Sequence, residues 1–144
     1  FVPKTCIPTY QEFYAGRRFI TAPKENHSID FYGKKVRFVT HYIFSCEENS
    51  YFTFGVEICE DLWIPNSPSI SLALNGANII CNPSASNEIT TKADYRKNLV
   101  SMQSAKLMCA YLYSSAGNGE SSTDIVYSGH HIVCENGMKR KQKI

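Results

Sequence analysis

From residue 52 to residue 133 the chain alternates between short apolar runs suited to strands and stretches with helical spacing, an order that few architectures accept. Tyr51, Phe52, Phe54, Val56 and Ile58 make residues 52–58 a β-rich stretch, ended by the charged, turn-prone Glu60-Asp61 and Pro65-Asn66. Cys59 is therefore expected at the carboxyl end of a strand. Ser67-Pro68 reads as an N-cap with Pro at the first helical position, Ile70, Ala73 and Leu74 give a short apolar face, and Asn75-Gly76 gives a stop. Residues 77–81 suit a strand buried on both faces, ending in a turn at Asn82-Pro83-Ser84. Thr91-Lys92-Ala93-Asp94 resembles a capping box, and Tyr95, Leu99, Met102, Ala105 and Cys109 recur at steps of four and three, predicting the longest helix there. A second buried strand over residues 110–115, a turn at Gly117-Asn118-Gly119 and a last strand over residues 125–133 complete the series. Strand, helix, strand, helix, strand predicts an α/β layered fold with helices covering a sheet.

The flanks are less regular. Within residues 19–49, Gly33 lies between aromatic and basic residues, and short strands are expected at 36–39 and 41–44. Residues 139–144 carry four positive charges and little apolar content, which reads as a frayed tail or truncated loop.

With 144 residues, 43% of them hydrophobic, the chain has enough material for one domain with a core. Its net charge of +2 is too small to make nucleic acid or a membrane surface the main partner, leaving small molecules and proteins. No apolar run approaches the roughly 20 residues that cross a bilayer, and Phe1-Val2-Pro3-Lys4 lacks signal-peptide character. Without an initiator Met, the chain is expected to be an internal fragment. Its six cysteines contain no CxxC pair, and four lie among apolar neighbours, so free thiols in a reducing cytoplasm are expected.

A thiol at a strand's carboxyl end faces the crevice where α/β folds bind ligands, which makes Cys59 the candidate nucleophile. If Glu57, Glu60 and Asp61 faced its sulfur they would suppress the thiolate, so a nucleophilic Cys59 needs a nearby cation and a base. His27, His41, His130 and His131 show no metal-ligand spacing and read as structural, so no metal is expected. Residues 117–121 lack the glycine pattern of a phosphate loop.

Val56-Glu57-Ile58-Cys59-Glu60-Asp61-Leu62-Trp63 resembles the nucleophile motif of the nitrilase, or carbon-nitrogen hydrolase, superfamily. Residues 4–14, residues 82–96 and residues 117–124 are similar to further blocks of one branch, the glutaminase domains of glutamine-dependent NAD synthetases. The four blocks occur in the right order and span nearly the whole chain. The resemblance implies a four-layer α-β-β-α sandwich, present here in part, and a Glu, Lys and Cys constellation that hydrolyses the side-chain amide of L-glutamine. Lys4 matches the family's lysine, and its ammonium would stabilise the oxyanion together with the backbone N–H of Glu60. Tyr10 and Ser86 resemble substrate-binding positions, and Lys92 occupies a site that holds a basic residue in relatives and would pair with the substrate α-carboxylate.

Two departures stand out. The family's general-base glutamate lies many residues before the lysine, whereas three residues precede Lys4, so the base and its strand are expected outside this chain and the fragment alone is expected to be inactive. Many relatives carry an acidic residue where Ala15 stands, which leaves Glu12 as the nearby candidate for the supporting glutamate. The resemblance further implies no cofactor in this domain, ATP and Mg in a synthetase domain that follows it, and homo-oligomeric assembly. Two other readings start from the same residues: a stand-alone nitrilase-type amidase or carbamoylase, and a non-catalytic fragment acting as an assembly surface.

Overall fold

The computed structural model describes residues 1–121 and 124–143; Ser122 and Thr123 of the fourth block and Ile144 of the tail lie outside the described residues. A hairpin of β1 (His27–Phe31) and β2 (Lys34–Phe38) stands apart from a six-stranded sheet. The sheet comprises β3 (Ile43–Ser45), β4 (Thr53–Val56), β5 (Ile79–Ser84), β6 (Ala110–Ser115), β7 (His131–Glu135) and β8 (Met138–Lys143), in that spatial order. The central β4, β5 and β6 run parallel, and the outer strands pair antiparallel. Parallel neighbours need crossovers, supplied by α1 (Pro68–Leu74) and α2 (Lys92–Leu107).

Both helices lie against one face of the sheet, α1 on β4 and β5 and α2 on β6 and β7. That face carries Ile80, Tyr111, Tyr113, Ile132 and Cys134, all buried, together with Gly55. A Cβ on Gly55 would come within 2.8 Å of Leu72, so glycine is what lets α1 sit so close to β4. On the opposite face Leu112, Ser114 and His131 are exposed, so residues 110–115, expected to be buried throughout, are buried on alternate positions only.

Several expectations are corrected. Asn82-Pro83-Ser84 is not a turn, because it continues β5 in register with Tyr113, Ser114 and Ser115. Of residues 125–133 only the end is strand, Tyr127 making one isolated bridge with Asn87. The basic tail is the edge strand β8, because Asn136-Gly137, at φ 48° and 82°, forms the tight turn that returns the chain along β7. Exposed Lys and Arg on such an edge discourage further strand pairing. Thr91 adopts φ 69° and makes no side-chain cap, so the capping box is not formed, and Asp94 pairs instead with Lys97 at 2.8 Å. The inward face of α2 is Arg96, Val100 and Ser104, whereas Tyr95 and Met102 are 61% and 68% exposed. A polar inner face is tolerated because Arg96 meets Glu88, His130 and the carbonyl of Asn87, and Ser104 donates to the carbonyl of Cys109.

Candidate active site

Past the end of β4 the N–H of Glu57 still bonds the carbonyl of Cys81 at 3.1 Å, after which the chain turns into a 3₁₀ turn, Cys59–Leu62. Cys59 opens that turn at φ 53°, a left-handed conformation uncommon for a residue with a Cβ. Its N–H donates to the Asn82 side chain at 3.2 Å, and its side chain is half-buried. The thiol is thus neither sealed in the core nor on open surface, the condition for meeting a substrate.

Lys4 arrives from the far end of the sequence. Its Nζ donates to the carbonyl of Ile58 at 3.0 Å, one residue before Cys59. What holds it there is Asp61, a carboxylate buried to 1% exposure. Asp61 accepts from the Thr5 hydroxyl at 2.6 Å and the Cys6 N–H at 2.7 Å, and also from the Ile58 N–H at 3.0 Å, tying both segments to one side chain. Lys4 and Cys59 both line a cavity of about 530 Å³, shared with Phe13, Phe19, Ala85 and Tyr127. An adjoining apolar groove of about 550 Å³ shares Lys4, Ala15 and Phe19 but presents no thiol, so the chemistry is assigned to the first cavity.

The three carboxylates near Cys59 in sequence are all engaged elsewhere. Asp61 serves the Thr5 and Cys6 segment, while Glu57 accepts from the Ser69 N–H at 2.8 Å and from the Tyr111 hydroxyl. Burial raises the Glu57 pKa despite those bonds. Glu60 accepts from the Tyr10 hydroxyl, 3.0 Å from both carboxylate oxygens. Burial, then the bond to Glu60, pushes the Tyr10 phenol up to about 12, keeping it a donor. The backbone N–H of Glu60 makes no hydrogen bond among the described residues.

Lys92, at the first turn of α2, donates to Asn87, whose amide donates in turn to Glu12. Its ammonium lies 5.3 Å from the centre of the Trp63 ring and 6.0 Å from that of Phe13. Burial, and next the Arg96 guanidinium, lower its pKa, with Glu12, Cys59 and Glu60 opposing. The structure thus gathers Lys4, Cys59, Glu60, Tyr10, Glu12 and Lys92 around one region. Ser86 is set back: it is buried, its N–H bonds the Ser115 hydroxyl at 3.2 Å, and its neighbours Ser84 and Ala85 line the cavity instead.

An ammonium fixed beside the peptide leading to a reachable thiol, with an unengaged N–H just after it, is an arrangement that stabilises negative charge developing on an acyl oxygen. The carbon-nitrogen hydrolase family model matches residues 13–136. The chain belongs to that family. This carbon-nitrogen hydrolase chain is 39% identical over 136 residues to the glutamine-dependent NAD(+) synthetase of Mycobacterium tuberculosis (strain ATCC 25618 / H37Rv), the match covering 94% of this chain and 20% of that protein. It spans about a fifth of the length of the curated relatives that it matches along most of its own. Its coordinates superpose on a glutamine-dependent NAD(+) synthetase from Cytophaga hutchinsonii with TM-score 0.80 and 23% identity, over 96% of this chain and 22% of that one. A carbon-nitrogen hydrolase from Helicobacter pylori G27 matches with TM-score 0.69 and 17% identity, over 97% and 46%. The α/β fold is therefore of the nitrilase type, and the described helices and six-stranded sheet form one α layer on one β layer of it.

Sequence reading missed Asn82, Asn87, Tyr111 and the clamping role of Asp61. An Asn at the end of an apolar run, as in Ile80-Cys81-Asn82, was the available signal, since a polar side chain in a buried strand needs a partner. No group of three metal-ligating side chains forms among the described residues.

Proposed function

We propose that this chain is part of the glutaminase portion of a glutamine-dependent NAD synthetase, and that Cys59 cleaves the side-chain amide of L-glutamine. The observation that carries the reading is the Lys4 ammonium 3.0 Å from the Ile58 carbonyl, on the same cavity as the Cys59 thiol. In the reaction, the Cys59 thiolate attacks the carboxamide carbon, the C–N bond breaks, and ammonia leaves with the proton it gains. Water then attacks the thioester, releasing glutamate and restoring the thiol. Lys4 and the Glu60 N–H stabilise the oxyanion of both steps.

Tyr10 contacts the substrate, Lys92 pairs with its α-carboxylate, and Glu12 steadies Lys92 through Asn87; Ser86, set back from the cavity, acts through the Ser84-Ala85 wall that it anchors to Ser115. The family's general-base glutamate would complete this site, taking the thiol proton and later activating the water. The ammonia feeds an ATP- and Mg-dependent amidation that forms NAD in a synthetase domain of the same cytoplasmic, homo-oligomeric protein. Support comes from the 39% identity to NAD synthetases along 94% of the chain, which favours this reading over a stand-alone amidase or an assembly surface.

The test is labelling of the complete protein with a radiolabelled, thiol-alkylating glutamine analogue. Label on the Cys59 peptide, with loss of ammonia release, is expected; label on another cysteine overturns the assignment.

A further inference from the structure

Beneath the nucleophile loop three fully buried polar side chains stand in series, and none of them lines the cavity. Glu57 follows β4 and is 1% exposed, Asn82 is on β5 and Tyr111 on β6, both 0% exposed. Tyr111 has one hydroxyl proton, which it donates to Glu57. Its oxygen is then left to accept from Asn82 Nδ2, at 3.1 Å. That contact decides which way the Asn82 amide faces: Oδ1 must point to the Cys59 N–H, at 3.2 Å, and to the Ser84 hydroxyl, at 2.8 Å. A flipped amide would set NH₂ against the Cys59 N–H, leaving that part-buried donor without an acceptor, and would set Oδ1 against the Tyr111 oxygen, whose one proton is already given to Glu57. Meanwhile Cys59 is held at φ 53°, a conformation that persists only where its surroundings fix it.

We propose that Asn82, oriented by Glu57 and Tyr111, is a positioning residue for Cys59, acting on its main-chain N–H and thereby aiming the sulfur at the substrate. This rests on Cys59 being the nucleophile. The device explains why Cys59 can leave its own N–H occupied while that of the next residue stays unengaged for an oxyanion. It also gives the buried Glu57 carboxyl a purpose without any contact to the substrate.

The decisive variant is Tyr111→Phe in the complete natural protein, which removes one hydroxyl and keeps the ring that fills the core. Two measurements are paired: kcat and KM for glutamine hydrolysis, and the rate at which iodoacetamide alkylates Cys59, read by peptide mass spectrometry. Tyr111→Phe is expected to lower kcat by about 10- to 100-fold with little change in KM, as misplacement of a reacting group does. Cys59 alkylation slows as well, with the other cysteines unchanged. In the Asn82→Ala background, adding Tyr111→Phe has no further effect, because the line is already broken. Val100→Ala, a core change outside the line, serves as the control for general loosening and leaves kcat and alkylation within about twofold of the wild type. Unchanged kcat and alkylation in Tyr111→Phe overturn the proposal, as does an equal loss in Val100→Ala. A wild type that releases no ammonia from glutamine, in which Tyr111→Phe still slows alkylation of Cys59, sinks the functional reading and leaves the positioning intact. Ammonia release with no effect of Tyr111→Phe does the reverse.

Discussion

Residues 1–50 and residues 53–135 deliver groups to the same cavity by opposite means. Among the described residues every buried member of the hydrophobic core, from Leu62 to Cys134, belongs to the second region, while the first contributes the partly buried Ile43 against it. In the first, Pro8 is the one buried residue. Cys59 is therefore placed by packing, through strands β4 and β5 and the helices above them. Lys4 is placed by polar bonds, chiefly those that converge on Asp61, with its own carbonyl accepting from Ala22 at 3.0 Å. An ammonium carried on a weakly packed segment depends on hydrogen bonds that must all be made, whereas a thiol on a sheet depends on the whole fold.

The largest expected effect lies on the packed side. Cys59→Ala in the complete protein should lower glutamine hydrolysis by at least about 10⁴-fold, as loss of a nucleophile does, with the melting temperature unchanged. Residual ammonia release close to wild type would remove Cys59 from the chemistry and the comparison with it.

Next comes the clamp. Asp61→Ala leaves the Thr5 hydroxyl and the Cys6 and Ile58 N–H groups without their acceptor, and unpaired donors are worth about 1–3 kcal/mol each. A loss of about 3 kcal/mol in urea unfolding is expected, because some of those donors regain water. Limited proteolysis should cut within residues 1–50 first. Uniform cutting along the chain would show that the two regions are held in the same way.

Val100→Ala sharpens the other side: a loss of about 2 kcal/mol is expected from the cavity under α2, with glutamine KM unaltered. The pH dependence is smaller. Burial raises the Glu57 pKa above its ordinary 4.5, so the folded state holds this proton at a pH where the unfolded chain has released it. The stability this adds is complete below pH 4.5 and is lost as pH rises through the folded pKa, the reverse of a salt-bridged carboxylate. Relative to Glu57→Gln, the wild type should therefore lose stability on going from pH 4 toward neutrality; a flat difference would contradict the assignment. Smallest is Gly33→Ala in the β1–β2 turn, where φ is 74° and a Cβ meets nothing within 4 Å. About 1 kcal/mol of backbone strain is expected, seen as faster amide exchange in β1 and β2 alone.

The alternation between residues 52 and 133 made the central strands β4, β5 and β6 and both helices legible, since strand and helix periods are local properties, whereas the edge strand β8 lay in the basic tail. The motifs singled out Lys4 and Cys59, which line one cavity. The inner face of α2 was not, because Arg96 and Ser104 become buried only through partners distant in sequence, such as His130 and the carbonyl of Cys109. The sequence raises Asp61 only as a charge that would suppress the thiolate if it faced the sulfur, whereas its task is to grip Thr5 and Cys6, a segment distant in sequence. The strand character of Asn82-Pro83-Ser84 was masked by residues that elsewhere make turns. Here Asn82 spends its polarity on Cys59 and Tyr111.

Arg96 has a mechanical consequence. A helix lined with hydrocarbon can dock on a sheet at several depths of similar energy, since apolar contacts are not directional. One that drives a guanidinium between Glu88, His130 and the Asn87 carbonyl cannot, because sliding by one residue swings it about 100° from all three. The side chain works as a dowel, locating α2 along its axis. Lys92, one turn away, inherits that accuracy and meets Asn87 and the rings of Trp63 and Phe13 at a fixed depth.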